Sequence, residues 1–416
     1  MFDLISLMPK IPAPSLDLNF VSGETLDNRI TFTRNSIATR INSFGVVETV
    51  TANTPRFDYD PVTLQSRGLL IEESRTNGIR NNTMVGAVAG TPGTLPTNWS
   101  LGTLAGLTTN VIGSGTESGI AYVDLQIVGT PTGTAYTLFF EATGQIAALN
   151  AQSWSSSLWC KIVAGSTTNI ASVNNSLTFR NSGGSALQSA LTAMTLSSTM
   201  TRYAQTVTAT NATTAFVHSG IWLTLTTGSA INITLRIGLP QLEQGAFATS
   251  VIPTSTAAVT RTADVASVNT LTPWYNAAEG TFFAETVRSS AITGISQILG
   301  VSDGTSSNRI RLFYTSNIET RSSMISFGVE QDQLIAAISS GLVAKVAYGY
   351  VVNNPGFAAN GGAVAVDTSA IVPSTVNNMR IGANVPSGDG LLNGYIRRIA
   401  YYPQRLNNQS LQILTK

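Results

Sequence analysis

The chain is written in short runs of alternating apolar and polar residues, the period-two signature of half-buried β-strands. Leu16-Asp17-Leu18-Asn19-Phe20 alternates strictly. Arg29 to Arg40 supplies another such stretch, and Asn42-Ser43-Phe44-Gly45 has the turn chemistry to reverse it into Val46-Val47-Glu48-Thr49-Val50. In Arg56-Phe57-Asp58-Tyr59-Asp60 an extended backbone puts Phe57 and Tyr59 on one face and the three charged residues on the other. Gly68-Leu69-Leu70-Ile71 is short and wholly apolar, as in a buried strand. From Trp99 to about Pro240, short strands such as Ala121 to Ile127 and Tyr136 to Glu141 recur between Gly, Ser, Thr and Asn turns. That spacing fits an antiparallel sandwich. A further series, including Thr281 to Val287, Asn308 to Tyr314 and Val343 to Val352, ends on Asn393 to Tyr402 and a short helix carrying Leu406, Leu411 and Leu414. Neither a repeat of 20 to 50 residues nor a heptad run is visible, which argues against a parallel β-helix or a coiled coil. The pattern predicts an all-β protein of antiparallel jelly-roll and β-sandwich domains in tandem behind an irregular N-terminal region.

Composition narrows the surface and the partners. Charged residues are 11% of the 416, against about 25% in an average soluble protein. Gly, Ser, Thr and Asn take their place, so the surface is largely uncharged and polar, as in extracellular or virion β structure. A net charge of +1 gives no footprint for nucleic acid or an anionic membrane, and neither partner is expected. No apolar run approaches the ~20 residues that span a bilayer. The first residues lack the basic start of a signal peptide, so export by lysis from a host cytoplasm is expected. With Cys160 as the lone cysteine and His218 as the lone histidine, neither a disulfide framework nor a Cys/His zinc site can form within one chain. No metal or cofactor is expected.

Charge concentrates in one block. Thr31-Phe32-Thr33-Arg34, then Pro55-Arg56-Phe57-Asp58-Tyr59-Asp60-Pro61, then Gly68 to Glu73 with Arg75-Thr76-Asn77 resemble motifs of tail-associated and fibre proteins of bacteriophages and prophages. Gln241 to Ser250, continuing through Ile252-Pro253-Thr254 to Arg261-Thr262-Ala263-Asp264, belongs to the same resemblance. Ser157 to Ile162 and Arg202-Tyr203 resemble strands of carbohydrate-binding-module-like jelly rolls, and the closing strand and helix are similar to concanavalin-A-like (laminin-G-like) sandwiches. The resemblance implies an exterior virion protein with an N-terminal attachment region (1–80), a jelly roll (97–247), a connector (248–268) and a lectin-like sandwich (269–416). It also implies contacts with other virion proteins through the N-terminal region, adhesion to a host-surface glycan, and a homotrimer.

Glycan contact would run through aromatic stacking. The candidates are Trp274 and Tyr275, which follow Pro273 in the connector, with Tyr314, Tyr401, Tyr402 and Trp154. Trp159 and Trp222 lie inside strand-like runs and are expected in the core. No catalytic residue is assigned. A polysaccharide-degrading glycoside hydrolase would need a carboxylate pair, Asp58 with Asp60 or Glu279 with Glu285; a purely architectural cement or adaptor protein would need no ligand at all. The oxygen-rich loops Asp303 to Asn308 and Ser387 to Gly390 lack the fixed spacing of a calcium loop and read as solvated turns. The clustered arginines near carboxylates read as internal ion pairs that pin a thin region, or as a docking surface.

Overall fold

The computed structural model describes residues 10–288, 294–338, 343–385 and 387–416. Its described secondary structure is strand throughout except for one helix, Asn408–Leu414. The antiparallel pairing predicted from the alternation is observed. Among the described residues, no helix is long and apolar enough to cross a membrane.

Two compact units emerge, and they do not follow the linear domain order. One contains the chain up to Gly45, Val50–Glu73 and Thr262–Lys416; the other contains Val46–Thr49 and Ser74–Arg261.

The first unit is a sandwich of two antiparallel sheets. One sheet runs, in spatial order, Ala365–Val366, Gly356–Ala359, Val343–Val351, Glu279–Arg288, Gly394–Tyr402, Ser66–Ile71 and Phe57–Tyr59, and Leu16–Asn19 also pairs with Gly394–Tyr402. The other runs Ile30–Thr33, Val265–Val268, Asn378–Ile381, Ser296–Ser302, Arg309–Ser316, Glu319–Ser326 and Val329–Asp332. Residues 1–80 therefore do not stand apart as an attachment region. Leu16 lies opposite Tyr401 and Leu18 opposite Ile399, and Leu16, Leu18, Phe20, Phe57, Leu69 and Ile71 share one core with Phe282, Ile298, Met379 and Ile399. Nor is 248–268 a bare connector. Val265–Val268 is a strand seated between Ile30–Thr33 and Asn378–Ile381, because Ala266 and Val268 have apolar partners to cover. The helix Asn408–Leu414, capped by the Asn407 side chain on the Ser410 N–H, buries Leu411 against Phe283, Ala400 and Tyr402 on the outer face of the first sheet.

The charged residues of the motifs lie inside this unit. Arg34 Nη1 donates to Asp264 Oδ1 at 3.1 Å, Arg56 Nη1 to Glu72 Oε2 at 2.7 Å, and Arg56 Nη2 to Asp264 Oδ2. The Glu72 N–H also donates to Asp264 Oδ2, at 2.9 Å. All four side chains are withdrawn from water. The neighbouring carboxylates hold the Arg56 guanidinium charged despite the opposing cost of burial.

The second unit is a jelly-roll-like sandwich. Its first sheet runs Thr201–Thr208, Ser153–Gly165, Ile231–Gln244, Ile120–Gly129 and Thr108–Glu117. The second runs Ala186–Ala193, Ile170–Arg180, Phe216–Leu225, Ala135–Phe139 and Ser100–Leu101, and Ile146–Ala147 also pairs with Phe216–Leu225. The remaining motif residues tie this unit together. Glu243, fully buried, accepts from the Thr249 N–H at 2.6 Å, Thr249 Oγ1 at 2.7 Å and Gln241 Nε2 at 2.9 Å. Arg75 donates to the Gln244 carbonyl and lies over the Phe247 ring. A Cβ on Gly245, whose φ is +153°, would fall 1.0 Å from Arg75 Nη1, so only glycine admits the guanidinium there.

Candidate functional site

The aromatic residues proposed from sequence for glycan contact are placed mostly in the interior. Trp274 is 4% exposed and packs edge-on against Tyr401 at 5.2 Å and Tyr275 at 5.9 Å. Tyr275 is half-buried against the same core. Tyr401 shares a 2.7 Å hydrogen bond with Tyr350, and Tyr314 bonds Thr286 at 2.5 Å beneath the Arg288 guanidinium. Tyr402 lies under the C-terminal helix, and Trp154 is part of the jelly-roll core. A sugar needs a ring face open to water; these rings spend their faces on one another and on aliphatic neighbours, so they form no exposed stacking platform.

The carboxylate pairs fare similarly. Asp58 is buried, accepting from the Ile41 N–H at 2.6 Å and Tyr395 Oη at 2.9 Å, and burial raises its pKa. Asp60 caps its own turn through the Val62 and Thr63 N–H groups and pairs with Arg67. Glu279 and Glu285 share one strand, and six residues of strand separate them by about 20 Å, too far for the roughly 5–9.5 Å of a hydrolase pair. The Cys160 thiol is in the core, where burial pushes its pKa up to about 12. The two oxygen-rich loops close on themselves: Asp303 accepts from Thr305 and Asn308, and Asp389 from Asn384 and Ser387.

A different face has the chemistry of recognition. In Phe216–Leu225 the residues Val217, Ile221, Leu223 and Leu225 point into the jelly-roll core, so alternation sends Phe216, His218, Gly220 and Trp222 outward. In Ile170–Arg180, Val173, Leu177 and Phe179 point in, leaving Asn174, Ser176, Thr178 and Arg180 on the opposite face, where the first three are nonetheless buried and Arg180 half-buried. Register aligns these as rows: Asn174, Trp222 and Thr137; then Leu191, Ser176, Gly220 and Phe139; then Thr178 and His218. Between Leu191 and Phe139 stand only a serine and a glycine, over a width of about 14 Å at the ~4.8 Å strand spacing. The result is a depression floored by Ser176 and Gly220 with rings and polar groups around it. Of the five tryptophans, Trp222 alone is not buried. The sequence reading placed it in the core; the phase of the alternation places it outside.

Polar groups around the depression are set by their neighbours. Asn174 Nδ2 donates to the Trp222 carbonyl at 3.0 Å and to Ser172 Oγ at 2.9 Å, leaving its Oδ1 as an acceptor. Arg180 Nε donates to His218 Nε2 at 2.9 Å. A ring that accepts at Nε2 carries its proton on Nδ1, and that buried Nδ1 meets no partner among the described residues. Burial, and then the Arg180 charge, push the His218 pKa down to about 3, so the imidazole is a neutral donor at physiological pH rather than a proton shuttle. The Phe139 ring meets it edge-on at 4.7 Å.

An opposed pH response of the two units follows. His218 titrates near 6.5 when unfolded, so the second unit holds its full contribution above pH 6.5 and loses it as pH falls toward 3. Asp332, buried under Tyr348, is pushed up by burial to about 6 from an unfolded value of 3.8. It therefore stabilises the first unit as pH falls from 6 to 4. Each difference is on the order of 3 kcal/mol between pH 7 and 4. Urea titrations at the two pH values are expected to show the His218→Gln variant losing less stability than wild type at pH 4. Asp332→Asn should in turn abolish the gain in the first unit. Equal pH slopes in variant and wild type would refute the assignment.

No protein-family model matches the chain, and no curated protein sequence matches it. Solved structures do align. The CBM40 module of the Ruminococcus gnavus IT-sialidase aligns with 20% identity over 34% of this chain and 84% of its own, at a TM-score of 0.31. The tripod from the baseplate of bacteriophage Tuc2009 aligns with 12% identity over 78% of this chain and 99% of its own, at 0.30. Domains LG4-5 of the mouse laminin α1 chain align with 10% identity over 78% and 93%, at 0.27. At these scores they are likenesses and carry no argument about function.

Proposed function

We propose that this is an adhesive structural protein of a phage virion, and that its jelly-roll unit holds a sugar of a host-surface glycan in the depression beside Trp222. The observation that carries the reading is the outward, incompletely buried Trp222 at the edge of a sheet face floored by small polar residues. A sugar presents an apolar ring face for an aromatic and hydroxyls for Asn174 Oδ1 and Ser176 Oγ. The virion assignment is supported by the sequence motifs, whose charged residues serve as internal ties and so mark a shared fold rather than a catalytic centre. Each site would be weak, and a homotrimer, repeated on the particle, would supply avidity.

The test is binding of the purified protein to host capsule or lipopolysaccharide. Trp222→Ala is expected to weaken binding at least tenfold, about 1.4 kcal/mol, while the melting temperature of the second unit stays within about 2 °C. Trp274→Ala should do the reverse, lowering the first unit's stability and leaving glycan affinity intact. Unchanged affinity in Trp222→Ala would remove the site, and release of new reducing ends by wild type would replace adhesion with hydrolysis.

A further inference from the structure

The first unit carries a second unusual face. In Arg309–Ser316 the residues Ile310, Leu312 and Tyr314 point into the sandwich core, so Arg309, Arg311 and Phe313 point outward, with Ser323 opposite Arg311 on the next strand. Two residues apart on one strand face, the arginine Cα atoms lie about 7 Å apart. Both side chains are half-buried, and the Nε of each is buried without an acceptor among the described residues.

Buried Arg34 and Arg56 are paired with Asp264, and buried Arg288 donates to Asn317 Oδ1 and its carbonyl. Arg309 and Arg311 meet no carboxylate among the described residues. Arg309 donates from Nη1 to the Val385 carbonyl at 2.9 Å, and Arg311 lies over the Phe313 ring at 4.7 Å. The nearest influences of opposite sign are engaged by other groups: Glu330 accepts from Ser323 and Gln333, and Asp389 from Asn384 and Ser387. Burial lowers the pKa of both arginines, and the charge of Arg309 lowers that of Arg311 further. Two like charges held side by side and partly dehydrated are unfavourable in the free protein, and an anion between them would relieve both costs.

We propose that Arg309 and Arg311, with Phe313 beneath them, bind the anionic group of an acidic polysaccharide. The group is a carboxylate or a phosphate, either of which accepts the guanidinium fork in two parallel bonds. A nucleic acid fits poorly, because its phosphates recur along the whole strand, whereas the further cations on this face are few: Arg321, opposite Phe313, is paired with Glu319, and Arg380 lies beyond Gly300, in a chain of net charge +1. The site is independent of the jelly-roll depression.

The experiment titrates the full chain with polygalacturonate, which carries carboxylates, poly(glycerol phosphate), neutral dextran and oligo(dT), at low and high salt. Wild type is expected to bind one or both acidic polymers and not dextran, with affinity falling several-fold on raising the salt from 20 to 200 mM. Arg311→Met and Arg309→Gln should each weaken binding at least tenfold. Arg311→Met should melt no lower than wild type, since it deletes a buried unsatisfied donor, whereas a residue serving only structure would melt lower. Trp222→Ala should leave this binding unchanged, so failure of the jelly-roll site and failure of this one are separable. Absence of binding to both acidic polymers, or equal binding by Arg311→Met, overturns the proposal. Oligo(dT) binding as tight as that of the acidic polymers overturns the ligand class.

Discussion

Replacing Asp264 by alanine is expected to cost the first unit about 3–5 kcal/mol, the usual penalty for removing one member of a buried ion pair. The whole stability of a domain is of order 5–15 kcal/mol, so partial or complete unfolding of that unit is the expected appearance. Asp264 takes Arg34 Nη1, Arg56 Nη2 and the Glu72 N–H on its two oxygens. Without it, the buried Arg34 and Arg56 each lose a carboxylate partner, and Arg56 retains Glu72. Asp264→Asn should cost nearly as much, because it keeps an acceptor but not the charge. Asp17→Ala is the control: its pairing with Arg398 at 2.7 Å is geometrically good, but the side chains are 42% and 38% exposed, and exposed pairs contribute under about 1 kcal/mol. Urea denaturation followed in the near ultraviolet would measure all three. An Asp264→Ala variant within 1 kcal/mol of wild type would show that the buried network is not what holds this unit.

The same residues show how far the chain could be read without coordinates. Alternation correctly assigned Phe57 to a core face, yet Arg56 and Asp58 on the opposite face are buried as well. Their partners explain why that was hidden: Asp264 lies 208 residues from Arg56, and Tyr395 lies 337 from Asp58. A period-two pattern reports which residues share a face but not what covers it. Trp222 was legible in principle, since Val217, Ile221 and Leu223 fix the phase of its strand and leave it outside. Trp274 was not, because its exposure was inferred from a connector that is a strand at Val265–Val268. Arg309 and Arg311 give no signal in sequence at all; two arginines flanking an isoleucine become notable only when no carboxylate arrives to meet them.

Residues 269–416 alone, the lectin-like sandwich that linear order suggests, are expected to fail to fold, whereas residues 1–73 joined through a short Gly/Ser linker to 262–416 are expected to fold cooperatively. The truncated piece lacks Leu16, Leu18, Phe20, Phe57, Leu69 and Ile71, all with 2% exposure or less in the shared core. At about 1.5–3 kcal/mol for each fully buried apolar side chain, the loss is roughly 10–20 kcal/mol as an upper estimate, as large as the entire net stability of a domain. It also lacks Asp264 and the strand Val265–Val268, which bridges Ile30–Thr33 and Asn378–Ile381. The joined chain keeps all of these. Its junction is short, because the Asp264 N–H donates to the Glu72 carbonyl at 2.9 Å and the Glu72 N–H to Asp264 Oδ2 at 2.9 Å, so a linker of a few Gly and Ser residues can replace 74–261. The segment Ser74–Arg261 of the second unit likewise begins and ends on one antiparallel pair, Arg75 opposite Arg261 and Asn77 opposite Val259, which lets it be excised without cutting a sheet of the first. Near-ultraviolet circular dichroism and a urea titration distinguish the outcomes: a sharp transition in 269–416 alone, or none in the joined chain, would mean that the N-terminal strands are accessories to the sandwich and not part of its core.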